Sequence, residues 1–243
     1  MEIRLQGIVV IVGNYGSGKT EVAINLALVC RQSGKPVRVV DLDLVNPYFR
    51  TREARDLLQA NDIDIVLPPA PYLHADLPIV TPAVSGAIRQ SGPLTILDVG
   101  GDDAGATVLA SLADAFRGKS IQMLQVINPH RPLTDSVTGC LAMRAQIEAA
   151  SHLSVTGWIG NAHLMEDTSV DTVRSGYRFA LKVSRVSGLP LAFVTTPRAL
   201  MGDLKNDDFC CPMLPIRRQL MPPWQAAQSH MKLTSGPPNG AAG

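Results

Sequence analysis

The chain has 243 residues, 46% of them hydrophobic, and a formal net charge of +1. That length and apolar content suit one large α/β domain with a sizeable core, and the near-neutral balance gives no overall field to draw the protein to nucleic acid or an anionic membrane. Cys30, Cys140, Cys210 and Cys211 form neither a disulfide framework nor paired C-x-x-C spacing, and no apolar run approaches membrane-spanning length.

Met1–Gln6 leads almost at once into the first strand, so no signal peptide and a cytoplasmic location are expected. Gly7–Val12 is β-branched and apolar, as a buried parallel strand should be. Gly13-Asn14-Tyr15-Gly16-Ser17-Gly18-Lys19-Thr20 then fits the phosphate-binding template G-x-x-x-x-G-K-[ST] at every fixed position. Glu21–Cys30 is apolar at helical spacing, so the order is strand, glycine loop, helix. Gly13, Gly16 and Gly18 let successive N–H groups point inward at phosphate oxygens. The helix beginning near Lys19 adds its positive dipole end, Lys19 a mobile charge, and Thr20 a hydroxyl able to ligate Mg²⁺.

Ser33–Pro36 stops the helix, and Val37–Asp43 reads as a second strand. Its acidic end places Asp41 and Asp43 where open α/β sheets bind ligands; the alternative is a pair of loop carboxylates capping the next helix. Asn46-Pro47 is a turn, with Pro47 opening a helix that continues through Leu58. Arg50, Arg52 and Arg55 suit either a solvated face or, for one of them, a phosphate or partner contact. Residues 63–67 form a short strand, Pro68–Pro78 an ordered surface excursion with a structural His74, and Ala83–Gln90 a short helix.

Leu94–Val99 is an apolar strand that ends in Asp98, with Gly101 three residues later. A carboxylate that orients Mg²⁺, followed by a loop sensing a terminal phosphate, has this spacing. Asp102-Asp103 equally suits an acidic turn opening a helix over Ala104–Phe116. Strands at 120–127, 155–160 and 189–194 alternate with helices at 133–150 and 170–186. The alternation predicts a doubly wound, mostly parallel sheet flanked by helices, with right-handed crossovers. Residues 1–205 are read as this domain, 206–234 as a C-terminal strap packed on the body, and 235–243 as a disordered tail.

The glycine loop, Asp41-Leu42-Asp43 and Asp98-Val99-Gly100-Gly101 together resemble the MinD/ParA-type P-loop ATPases of the SIMIBI class, across about residues 7–200. The resemblance implies ATP with Mg²⁺, slow hydrolysis of the β–γ phosphoanhydride, ADP as product, and a conformational switch in a homodimer acting on a client protein. Lys19 and Asp43 take the catalytic positions, Asp43 orienting the attacking water, and Thr20, Asp43 and Asp98 the metal positions. Gly13–Thr20, Gly101, Asn161 as the adenine reader and Pro197 beside the base take the nucleotide positions. The family's second loop lysine, which reaches a dimer partner's nucleotide, is replaced by Asn14, and Tyr15 stands where glycine is usual. An amide supplies no charge, so turnover is either very slow or served by another cation, with Arg50 and Arg131 as candidates.

Alternatives within reach of the sequence are an ATP-dependent amidoligase or kinase, a partitioning ATPase, and a metal-cluster chaperone using Cys210-Cys211. Neither nucleic acid nor membrane is expected as a partner, given the charge balance and the proline-broken C-terminal segment.

Overall fold

The computed structural model describes residues 2–43, 50–67, 82–92, 94–205 and 208–220, with side chains other than those of 102–104. The turn at Asn46-Pro47, the excursion Pro68–Pro78 and the tail 235–243 lie outside the described residues. The strands are β1 (Gly7–Gly13), β2 (Val37–Leu42), β3 (Asp64–Val66), β4 (Leu94–Val99), β5 (Ile121–Ile127), β6 (Gly157–Gly160), β7 (Leu191–Pro197) and β8 (Met213–Ile216). The helices are α1 (Lys19–Gln32), α2 (Arg55–Ala60), α3 (Pro82–Arg89), α4 (Asp102–Ser111), α5 (Ala113–Phe116), α6 (Val137–Ser151) and α7 (Val170–Ser187).

The eight strands among the described residues join one parallel sheet in the order β3-β2-β4-β1-β5-β6-β7-β8. β1 is central, and its side chains alternate between two cores. Val9 and Ile11 pack with Val22, Ala23 and Leu26 of α1 on one face. Ile8, Val10 and Val12 pack with Val108, Leu109, Phe116, Met143 and Ile147 of α4, α5 and α6 on the other. A strand covered on both faces needs an unbroken apolar run, which is why Gly7–Val12 carries no polar residue. The doubly wound parallel fold expected from the sequence is therefore present.

Local departures have physical causes. The helix expected from Pro47 begins, within the described residues, as a 3-10 turn at Thr51–Ala54 before α2. The helix expected over 104–116 is two helices, broken at Leu112. The helix expected from Leu133 starts instead at Val137, where Ser136 caps it by accepting from the Gly139 N–H. Leu133 itself sits at φ 69°, outside helical geometry. β7 runs on to Pro197, taking in Thr195 and Thr196, which the sequence reading put after the strand.

Met213–Ile216, read from sequence as part of an extended strap, forms the edge strand β8 and pairs with Val194–Pro197 of β7. The chain after β8 is then fixed to the first turns of α1. Glu21 accepts from the backbone N–H groups of Gln219 (3.0 Å) and Leu220 (2.8 Å). Asn25 Nδ2 donates to Arg217 O (3.0 Å), and Asn25 Oδ1 accepts from Arg217 N (2.9 Å). Glu21→Ala strands two backbone donors in a largely buried place, so a loss of about 1–3 kcal/mol of stability is expected. Faster amide hydrogen exchange confined to 217–220 and the adjoining β8 checks it.

Candidate functional site

In parallel sheets the carboxyl ends of the strands share one rim, and here that rim collects the chemistry. β1 delivers the glycine loop, β2 Asp43, β4 Asp98 and Gly100-Gly101, β5 Arg131, β6 Asn161 and His163, and β7 Pro197. A cavity of about 590 Å³ opens between them. Tyr15, Gly16, Gly18, Lys19, Thr20, Asp43, Gly101, Asn161 and Pro197 all line it. Gly13, Asn14, Ser17 and Asp98 lie behind this wall.

The loop has the inward curl that its glycines permit. Gly13, Gly16 and Gly18 stand at φ 147°, 71° and 91°, a region closed to most side chains. Gly18 directly precedes α1, so the N-terminal turn of that helix, with the positive end of its dipole, lines the cavity. Lys19 is 6% exposed and its Nζ donates to Asn14 O at 3.1 Å, folding the lysine back over its own loop. Ser17 Oγ is buried without a hydrogen-bond partner among the described residues.

The loop after β4 presses against this loop. A methyl group on Gly101 would lie 2.9 Å from Tyr15 Cα and 3.1 Å from Lys19 Nζ. One on Gly100 would lie 2.9 Å from Asp43 Oδ1. Both glycines therefore mark close approach rather than an unusual φ, and they bring Asp43, Lys19 and the loop backbone together.

Three buried carboxylates form the floor. Register alone sets Asp41 beside Asp98 on neighbouring strands β2 and β4. Asp41 is neutralised by Arg52, whose Nε donates to Oδ2 at 2.8 Å; Arg52 also donates to Asp43 O at 2.9 Å. Arg52 is thus a buried structural cation and not part of a solvated face. Arg50 is also buried, at 4% exposure.

Asp98 accepts from Thr51 Oγ1 at 2.7 Å through Oδ2, while its Oδ1 is buried with no hydrogen-bond partner among the described residues. Burial, with Asp43 and Asp41 close by, pushes the Asp98 carboxyl up to about 7; Thr51 and Lys19 pull the other way.

This donor set suits Mg²⁺. The oxygens of Thr20, Asp43 and Asp98 are hard ligands, and the orphaned Asp98 Oδ1 is an acceptor awaiting a cation or a proton-bearing water. Among the described residues no group of three or more His, Cys, Asp and Glu is placed to hold a metal by itself. Mg²⁺ at a phosphate site needs no such cage, because it takes one or two carboxylates and completes its shell with phosphate oxygens and water.

Asn161 sits beneath the loop, where its Nδ2 donates to Ser17 O (2.6 Å) and its Oδ1 accepts from Thr195 Oγ1. Its amide thus supports the loop from below while lining the cavity. His163, beside Gly18, was not singled out by sequence reasoning; burial and the nearby charges of Arg131, His130 and Arg218 push its imidazole down to about 4. Thr51, Thr195, Glu21 and Arg218 are further site residues that carried no motif signal. Arg218 crosses the mouth to Glu166, with Nη1 to Oε1 at 2.6 Å. Cys210 is exposed and Cys211 buried, so the adjacent thiols face different surroundings. No helix among the described residues is long and apolar enough to cross a membrane.

No protein-family model matches the chain, and no curated protein does. Solved structures match it in fold. The cell division protein FtsY of Thermotoga maritima superposes with a TM-score of 0.54 at 18% identity, over 80% of this chain and 63% of that one. The signal recognition particle 54 kDa protein of Aeropyrum pernix K1, in complex with GDP, gives 0.51 at 18% identity, over 80% and 42%. The signal recognition particle receptor FtsY of Elizabethkingia anophelis, also with GDP, gives 0.50 at 17% identity, over 79% and 57%. The chain spans less than two thirds of the length of each. What it shares with them is the P-loop nucleoside-triphosphatase fold.

The raised Asp98 carboxyl has a stability consequence. Its proton is held more tightly in the folded state than in the unfolded chain, where Asp titrates near 4. The stabilisation is therefore complete below about pH 4 and is lost as pH rises through about 7. In metal-free buffer, thermal melting should fall more steeply across that window for the wild type than for Asp98→Asn. Parallel pH profiles of the two proteins would remove the assignment.

Proposed function

We propose that the cavity binds ATP with Mg²⁺ and that the protein hydrolyses the β–γ phosphoanhydride slowly, using the cycle as a conformational switch. The observation that carries this reading is convergence. A glycine loop at a helix N-terminus, two carboxylate-bearing strand ends and the close-packed Gly100-Gly101 turn meet around one cavity. Anions are favoured there by inward N–H groups, by the α1 dipole and by Lys19.

The residues divide the work as follows. The backbone of Gly13–Thr20 cradles the phosphates, and Lys19 leaves Asn14 O for the β- and γ-phosphates. Asp43 accepts a hydrogen bond from the attacking water and aims it at the γ-phosphorus. Thr20, Asp43 and Asp98 hold Mg²⁺, which when bound neutralises charge on the phosphate oxygens. Gly101, already against Tyr15 and Lys19, carries the presence of the γ-phosphate into the loop before α4. Asn161 and Pro197 border the base, with Asn161 reading adenine. The domain is residues 1–205 and the C-terminal strap 206–234, of which Ile216, Arg218 and Leu220 line the cavity.

The output is a change of shape in a cytoplasmic homodimer that matures or regulates a client protein or a metallocofactor. In support, two large hydrophobic side chains stand exposed, Tyr15 in the glycine loop at 59% and Leu133 just after Arg131-Pro132 at 64%. The motifs follow one another in the order seen in MinD/ParA-type ATPases, which the chain resembles.

Titration calorimetry with Mg·ATP tests the reading. Wild type should bind, and Lys19→Ala should weaken affinity at least about tenfold, the effect of one lost charge-assisted contact. Equal affinity in the two proteins, or tighter binding of GTP than of ATP, would refute the nucleotide assignment. Because Asp98 must lose its proton to ligate Mg²⁺, Mg·ATP affinity should also rise between pH 6 and pH 8. That rise should be absent in Asp98→Asn.

A further inference from the structure

We infer that Arg131 contacts the terminal phosphates from within the same chain, and that Asn14 positions it. The inference rests on the nucleotide reading of the cavity and adds to it a charge that the glycine-loop motif does not contain.

Arg131 lines the cavity, and its guanidinium lies over the middle of the glycine loop. A methyl group on Gly16 would stand 3.6 Å from Arg131 Nε and 3.8 Å from Cζ. The Nε is buried and has no hydrogen-bond partner among the described residues. The other cavity arginine, Arg218, is engaged with Glu166, and nearby Arg52 is engaged with Asp41. A half-buried guanidinium over a glycine loop, without a carboxylate partner among the described residues, is arranged for an anionic ligand. Its planar fork of donors matches phosphate oxygens.

The position is built, not incidental. Asn14 Nδ2 donates to Pro132 O at 2.8 Å, tying the glycine loop to the residue after Arg131. Asn128, fully buried, closes the turn from inside: its Oδ1 accepts from His130 N (3.0 Å) and its carbonyl from Arg131 N (3.1 Å). Thr134 Oγ1 donates to the same carbonyl at 2.9 Å. The Arg131 backbone is therefore locked before any ligand arrives, and less ordering entropy is lost when the guanidinium engages. Asn14 then acts on the loop beside it within its own chain.

Steady-state and single-turnover hydrolysis of Mg·ATP tests both roles. Arg131→Ala should lower kcat by on the order of 10²–10³-fold, as loss of a transition-state charge does, while ADP affinity changes less than about threefold. Arg131→Lys should recover part of the rate, and Arg131→Met, which keeps the apolar stem, should not. Comparing melting temperatures of Met and Lys variants separates folding from chemistry. A kcat within about threefold of wild type for Arg131→Ala, alongside an impaired Lys19→Ala, overturns this inference and leaves the nucleotide reading standing. A wild type that neither binds nor hydrolyses nucleotide overturns both.

For Asn14, the double variant Asn14→Ala/Arg131→Ala should be no slower than Arg131→Ala alone. Losses that multiply would overturn the positioning role. Mixing Arg131→Ala chains with Lys19→Ala chains should restore no activity. Recovery would mean that the arginine acts across an interface and would overturn the assignment to one chain.

Discussion

Repulsion between buried carboxylates is the constraint around which the rim is arranged. Parallel pairing of β2 with β4 brings Asp41 level with Asp98, and Asp43 follows two residues on. Three such groups cannot all stay charged in a dry interior without compensation. Each is handled differently. Asp41 receives Arg52, Asp98 receives Thr51 and a raised affinity for its proton, and Asp43 faces the cavity. The result is a floor of closely set acidic groups next to a glycine loop at a helix N-terminus.

That balance explains why polar residues fill the heart of an otherwise apolar domain. Thr51, Asn128, Asn161 and Thr195 are buried, and each holds a neighbour of the cavity in place. Asn161 props the glycine loop at Ser17, Asn128 shapes the turn that bears Arg131, and Thr195 orients Asn161. Such groups add modest net stability when satisfied and cost several times more when one partner is lost. They specify a geometry rather than strengthen a core.

The sheet was legible because its signals are local. Gly7–Val12 is apolar on both faces, Leu94–Val99 is interrupted only by Thr95 and Asp98, and the glycine loop has a fixed residue at each required position. Helix starts were less so: Leu133 adopts a left-handed backbone and Ser136 takes the capping role, which composition alone does not reveal. Arg52 looked like a surface residue because its partner, Asp41, is eleven positions away and buried only once β2 is in the sheet. Thr51 and Glu21 carry no pattern at all. Their importance comes from long-range neighbours, Asp98 and the chain at 219–220. Met213–Ile216 was too short and proline-bearing to announce itself, and its place as an edge strand tolerates that proline.

The tie between α1 and the chain end carries a consequence for how the protein is made. Glu21 and Asn25 emerge from the ribosome nearly two hundred residues before Arg217, Gln219 and Leu220, their partners. Until residues 213–220 appear, Glu21 of the helix that follows the glycine loop lacks these backbone partners and the rim lacks β8. The strands at the sheet centre are therefore synthesised before the strand and tie that close this side of the hollow, and a chain cut short of Met213 would lack both.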